Sequence, residues 1–396
     1  MGLVSDSALV NEYMKHCNLN VRTKGYTIKD IFKDYWEDFL NDHPHLNIRD
    51  TVHLNVNRML KCQTPKLGYS FYECPNCGFE HKSYNTCKSR FCNSCGVKYA
   101  HARSHAVTKI LLPCSHRHIT FTIPDSLRHY FRENRKRLLY LFEAVNMTLK
   151  HLFKKHSKSL RYQAGYILVL HTFGRALNLN PHIHCLISEG MVDIKGRFKP
   201  LKYFSYPLLR KAFMKCLLDL LHQDIGPSFY KEKSDLYTAL DDGFYVHAPS
   251  SDSNFKDATE LVKYILRYTG RPAMAQSRII EVKDDFVTYF YEPHEDDHLP
   301  DDKRTGPIEV KEHVYEFIKK LIIHIPDYQF KMIRYYGLYS AKGMMRLSNY
   351  QRKSSYLKHT STFKWRSLLY LSFKYDILKC RCGYYLKFIR ESSYFP

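Results

Sequence analysis

A chain of 396 residues and 47.1 kDa is too long for one ordinary domain and long enough for two or three, each with a core. Its 61 Lys and Arg against 39 Asp and Glu leave a formal net charge of +22, which points to nucleic acid or an anionic membrane surface as partner. A spanning helix is not expected, because no run approaches about 18 apolar residues. The chain has no Gly-x-x-x-x-Gly-Lys-Ser/Thr loop and no charged-then-apolar leader at Met1–Asp6, so neither a nucleotide-driven motor nor secretion is expected.

Ile31, Phe32, Tyr35, Trp36, Phe39 and Leu40 recur at helical spacing within the first 70 residues. Five of the 12 cysteines then fall between Cys74 and Cys95 in a Gly-, Asn-, Ser- and Lys-rich stretch, which suits a metal module better than a disulfide framework. Residues 118–123 are rich in β-branched side chains and stop at Pro124, so they read as a strand. A basic helix is expected over 130–155, then strands over 165–173 and 181–187 joined by a turn at 174–180. Further on come a helix at 206–222, a short strand at 244–247, a helix at 257–269, and a hairpin of 278–282 with 286–291. An acidic, Pro-containing loop over 292–302 marks a boundary. Beyond it, residues 303–396 hold 19 Lys and Arg against 6 Asp and Glu, more than half of the excess charge.

Three groups of residues carry chemistry. Cys74-Pro-Asn-Cys77 and Cys92-Asn-Ser-Cys95 each present two thiolates, and together they predict one closed, structural Zn²⁺ site, with Cys87 and His81 as alternative ligands. His182-Ile183-His184 in a strand turns both imidazoles to one face and could bring them to one cation. Similar pairs occur at His43/His45 and His116/His118, in less convincing strands. Tyr264 and Tyr268, four apart on a helix, put two phenols on one face among Lys263, Arg267 and Arg271. Spacing alone does not distinguish them from Tyr162/Tyr166 or Tyr335/Tyr339 among 32 tyrosines.

The order of these elements is more specific than any one of them. The cysteine module precedes Leu177-Asn-Leu-Asn-Pro-His-Ile-His-Cys-Leu-Ile-Ser-Glu-Gly190, then Lys263-Tyr-Ile-Leu-Arg-Tyr-Thr-Gly-Arg271, then His324-Ile-Pro and Ile333-Arg-Tyr-Tyr-Gly-Leu338. The chain resembles the two-tyrosine rolling-circle transposases of the insertion-sequence 91 family, within the HUH (His-hydrophobe-His) nucleases. The resemblance implies an α+β fold: an antiparallel ferredoxin-like HUH nuclease domain at 106–295, an N-terminal helical and zinc-binding module at 1–105, and a basic, mainly helical region at 296–396. Phe91 stands where the family would carry a histidine. Cys380-Arg381-Cys382 has one residue between thiols where two are usual, so a second zinc knuckle does not follow from the pattern.

The same resemblance implies phosphoryl transfer to tyrosine. His182 and His184 would hold Mg²⁺ or Mn²⁺, and Tyr264 and Tyr268 would be the nucleophiles. Two imidazoles do not satisfy a divalent ion, so a third ligand is expected: His171, which ends the neighbouring strand across a short connection, with Glu260, one turn before Tyr264, as its competitor. A phosphotyrosine conserves the phosphodiester energy, in keeping with the missing nucleotide-binding loop. The expected partner is single-stranded DNA at element ends and target, contacted by Lys263, Arg267, Arg271 and Arg334. A bacterial cytoplasmic, nucleoid-associated location is expected, with no membrane. Two other classes share the charge and the cysteines: a non-catalytic zinc-containing DNA-binding regulator, and a metal-independent DNA recombinase.

Overall fold

Thr27 and Asp30 cap each other's backbone amides and start helix α1 (Ile28–Asp42), whose Ile28, Ile31, Phe32, Trp36 and Phe39 are buried. The stripe expected from the sequence is the stripe that packs, and each such side chain contributes about 1.5–3 kcal/mol on full burial. The computed structural model describes residues 26–156, 161–201, 203–247, 261–262, 265, 273–293, 306–353, 370 and 376–392. After α1 come helix α2 (Asp50–Lys61), strands β1 (Tyr69–Glu73) and β2 (Glu80–Tyr84), and helix α3 (Asn93–Ile110).

The central sheet begins at β3 (His116–Thr122). The helix expected over 130–155 is interrupted: Asn134 takes φ −127° and ψ 97°, separating a short helix, Arg128–Glu133, from α4 (Leu138–His156). Strands β4 (Gln163–Phe173), β5 (Leu179–Val192) and β6 (Phe198–Pro200) follow, then helix α5 (Tyr206–Ile225) and β7 (Val246–His247). Strands β8 (Ile279–Lys283) and β9 (Phe286–Tyr291) form the expected hairpin, with Asp284 and Asp285 both at positive φ, as a tight turn requires. Then come β10 (Ile308–His313), α6 (Val314–Ile322), β11 (Ile333–Gly337), α7 (Met344–Lys353) and β12 (Lys387–Ser392).

Among the described residues, all strand pairs are antiparallel, in three sheets. The central one runs β11-β4-β5-β3-β7 with β6 beside β5; the others run β10-β9-β8 and β12-β1-β2. The C-terminal region expected to be mainly helical is therefore mixed: β10, β11 and β12 accompany α6 and α7. The basic composition there marks a surface, and composition does not separate strand from helix.

Strand alternation sorts the central sheet into two faces. Ile119, Phe121, Leu168, Leu170, Ile183, Cys185 and Ile187 pack against Leu141, Val145 and Leu149 of α4 and Phe213, Leu217 and Leu221 of α5. The other face sets Ile167, Val169 and Leu186 against Val107, Leu111, Leu261, Val262 and Ile265. A third core joins α1 and α2 to the hairpin and α6 through Ile31, Phe32, Val287, Tyr289, Phe317 and Leu321. Buried side chains thus group across the expected boundaries at 105/106 and 295/296. Among the described residues, no helix is long and apolar enough to cross a membrane.

Candidate active site and metal centres

The second sheet face also carries histidines. On β5, Ile183 and Cys185 point into the α4–α5 core, so His182 and His184 project from the opposite face. β4 pairs with β5 so that His171 stands opposite His182 and Val169 opposite His184. The ligand nitrogens of His171, His182 and His184 all lie within 4.8 Å of one another. The sequence expected all three, and the structure brings all three together.

Their protonation follows from their partners. The Asn180 carbonyl can only accept, so His182 Nδ1 carries a proton and donates to it at 2.7 Å. His182 Nε2 therefore offers a lone pair, and it lies 3.0 Å from His184 Nε2. Desolvation by burial holds His182 at about 4 and keeps His171 and His184 well below the ordinary histidine value. Neutral imidazoles converging on one point are the state a cation needs.

His118 is the member that sequence reasoning passed over. Its Nε2 lies 2.7 Å from His184 Nδ1, and the two rings stack with centroids 4.9 Å apart. The signal was the His116/His118 pair, set aside because its strand looked weak. β3 is instead the immediate neighbour of β5, with Thr120 opposite His184.

The connection into β5 is also fixed. Gly174 N–H donates to Asn178 O at 3.0 Å, and Leu177 sits at φ 63°. His324, buried beyond α6, donates from Nε2 to the Leu177 carbonyl at 3.0 Å and receives the Thr172 hydroxyl at Nδ1, 3.2 Å away. The His324-Ile-Pro motif thus anchors the turn that leads to His182.

Among the described residues, eight cysteines form two clusters, and neither is the quartet expected from sequence. Cys62, Cys87, Cys92 and Cys95 lie together, all buried, with Sγ–Sγ distances of 3.6 Å for Cys62–Cys95, 3.5 Å for Cys87–Cys95 and 3.8 Å for Cys62–Cys92. Cys74 and Cys77 instead meet Cys380 and Cys382, at 3.4 Å for Cys74–Cys382 and 3.6 Å for Cys77–Cys380. A tetrahedral shell with Zn–S of about 2.3 Å has edges of about 3.8 Å, which both clusters approach. The β1–β2 hairpin carries the first knuckle away from α3, so Cys74 and Cys77 cannot share a shell with Cys92 and Cys95. Cys87 is in the first cluster; His81, opposite Tyr72 on β2, is in neither. Hydrogen bonds from Cys62, Cys87 and Cys92 push Cys95 far below the usual thiol range, so that cluster already favours a thiolate.

Tyr264, Tyr268, Lys263, Arg267, Arg271 and Glu260 lie outside the described residues. Their neighbours Leu261, Val262 and Ile265 are helical and buried on the histidine-bearing face. Arg334 lies elsewhere: it pairs with Leu168 across β11–β4, and its guanidinium covers the Phe142 ring at 4.9 Å, on the α4 side of the sheet. Two of the rival tyrosines are committed to structure. Tyr166 donates to Asn146 at 2.7 Å. The Tyr339 hydroxyl donates to His116 Nε2 at 2.5 Å and accepts from the Leu112 amide at 3.1 Å.

Near the first cysteine cluster is a cavity of about 320 Å³, lined by Asn55, Arg58, Lys88, Arg90, Gln329 and Lys331 among others. Four cations around one groove suit a phosphate backbone.

Comparison with known proteins defines the class. Residues 165–346 match the family described as "Putative transposase", and residues 31–123 match the "Transposase zinc-binding domain" named for IS91. The first match holds the three histidines; the second holds seven cysteines, Cys62 to Cys114. A transposase for insertion sequence element IS801 from Pseudomonas savastanoi pv. phaseolicola is 29% identical over 78% of this chain and 75% of its own length. "Putative transposase y4qJ" of Sinorhizobium fredii is 25% identical over 79% and 80%. No solved structure matches the chain. The protein belongs to the insertion-sequence 91 (IS91) family of transposases, with an N-terminal zinc-binding domain.

Proposed function

We propose that the chain cleaves and rejoins single-stranded DNA at element ends through a 5′-phosphotyrosine, as a metal-dependent HUH nuclease. The observation that carries this reading is the meeting of His171, His182 and His184 within 4.8 Å on one sheet face. An antiparallel sheet with α4 and α5 on the opposite face agrees with a ferredoxin-like HUH domain. The buried residues at 261, 262 and 265 agree with a helix that brings Tyr264 and Tyr268 to the histidine side.

The donor set fits a divalent ion: three neutral imidazoles, with no carboxylate in the group. Nitrogen donors favour Mn²⁺ over Mg²⁺, which prefers oxygen. When bound, the ion draws charge from the scissile phosphate and orients it. His182 and His184 hold that position, fixed by the Asn180 carbonyl and His118. The phenol oxygen of Tyr264 or Tyr268 forms a bond to phosphorus as the bond to the 3′ oxygen breaks, and that oxygen leaves as a 3′-OH after taking a proton. In the reverse direction a 3′-OH attacks the phosphotyrosine and the phenol is released, so joining needs no ATP. Lys263, Arg267 and Arg271 would flank the phosphate, while Arg334, turned to the α4 side, would not.

Denaturing gels after incubation with single-stranded end oligonucleotides and Mn²⁺ test the reading. A covalent adduct with the wild type is expected, with none for His182→Ala or His184→Ala although both still bind the strand. Adduct formation that survives chelation would favour a metal-independent recombinase, and binding without cleavage a regulator.

A further inference from the structure

The second cysteine cluster draws on both ends of the described chain. Cys74 and Cys77 lie inside the zinc-binding segment, but Cys380 and Cys382 lie beyond both matched segments. We propose that these four thiols form a second zinc site, distinct from the Cys62–Cys95 cluster, that clamps the C-terminal segment onto the β1–β2 hairpin.

The two halves are built alike. In each, a glycine follows the second cysteine at positive φ, Gly78 at 68° and Gly383 at 92°, and donates its amide to the carbonyl of the first, Cys74 or Cys380, at 3.0 Å. The first cysteine of each also donates its amide across its turn, to Phe79 O at 2.9 Å and to Tyr384 O at 2.8 Å. These are knuckles, turns that hold two sulfurs toward one point. The single residue in Cys380-Arg381-Cys382 does not prevent the geometry, because the turn closes at Tyr384. The ligand sulfurs lie within 4.8 Å of one another, too far apart for disulfides and close to a tetrahedral shell.

Packing alone would hold this corner poorly. β12 pairs with β1 along its length, yet five of its six residues are exposed. Among the described residues the local core is Cys74, Cys380 and Leu386, with Tyr72, Phe79 and Leu378 half-buried around it. A three-stranded sheet with so small a core needs a staple. A four-thiolate zinc carries a net charge of −2, and Arg381 between two of the ligands, with Lys379 and Lys387 nearby in sequence, offsets it.

The test is zinc content, which does not depend on the cleavage reaction. Native mass spectrometry of the full chain should show two zinc ions, and Cys380→Ser with Cys382→Ser together should show one. Cobalt substitution should give thiolate charge-transfer absorption whose amplitude halves in that double variant. Should that variant not fold, thiol alkylation of the wild type decides. Cys77 and Cys382 are exposed, so without a metal they should be labelled at once; with zinc they should resist until a chelator is added. One zinc in the wild type, two in the double variant, disulfides at these four cysteines, or immediate labelling of Cys77 and Cys382 in the zinc-loaded chain would each overturn the proposal.

Discussion

His118 meets His184 at the ring nitrogen opposite the one that faces His182: His118 Nε2 to His184 Nδ1 is 2.7 Å, and His184 Nε2 to His182 Nε2 is 3.0 Å. For His184 to offer Nε2 to a metal, its Nδ1 must carry the proton, and His118 Nε2 is placed to receive it. Were His184 to ligate a metal as proposed, His118 would be the partner that sets its tautomer. Replacing His118 with Ala should weaken Mn²⁺ binding by about 10–100-fold. Calorimetric metal titration measures this, and His118→Gln, which keeps an acceptor, should recover part of the loss. Unchanged affinity would reduce the contact to packing.

The phenols can be tested without disturbing the fold. Phenylalanine keeps the ring and deletes the oxygen, so Tyr264→Phe with Tyr268→Phe should abolish the covalent adduct while strand binding persists. Each single variant should retain one adduct-forming residue, located by mass spectrometry of the linked peptide. An adduct on Tyr162 or Tyr335 in the double variant would move the nucleophile elsewhere.

Stability should depend on pH through buried histidines outside the triad. Desolvation holds His324 at about 4, against 6.5 for the exposed side chain. Between those values the unfolded chain binds more protons than the folded one, so this stabilisation is complete above pH 6.5 and lost as pH falls toward 4. The effect is on the order of 3 kcal/mol for such a shift. Urea unfolding between about pH 7 and pH 5 should show the decline, and His324→Gln should flatten it. An equal slope in that variant would assign the titration to other groups.

Cys62 caps the end of α2 and joins a cluster whose other members lie 25 or more residues on. Cys62→Ser should remove one zinc ion and loosen the α1–α2 core, seen as faster amide exchange around Val56 and Met59. Full zinc content in that variant would take Cys62 out of the ligand set.

Period-2 and helical patterns made much of this legible in advance: the α1 stripe, the β8–β9 hairpin, and His182 with His184 on one face. His171 followed from a short connection between adjacent strands. Sequence spacing failed where the partner is distant in the chain. Cys62 stands alone in a helix-end sequence, and Cys380 is 303 residues from Cys77, so nothing local announced either grouping. His118 was missed because β3 reads as a modest strand until β5 is placed beside it. Charge changes along the chain where surfaces change, whereas buried clusters draw on segments far apart, as Phe32 with Val287 and Phe317 does.

The cysteine clusters also differ in when they can form. Cys62 and Cys95 are separated by 33 residues, so that set is complete soon after α3 is made. Cys74 must wait for Cys382, 308 residues later. At ordinary synthesis rates that is roughly 15–60 s during which one knuckle stands without its partner. Two thiols on the growing chain are left open to oxidation or to a competing soft metal for that interval, while the other four are already enclosed.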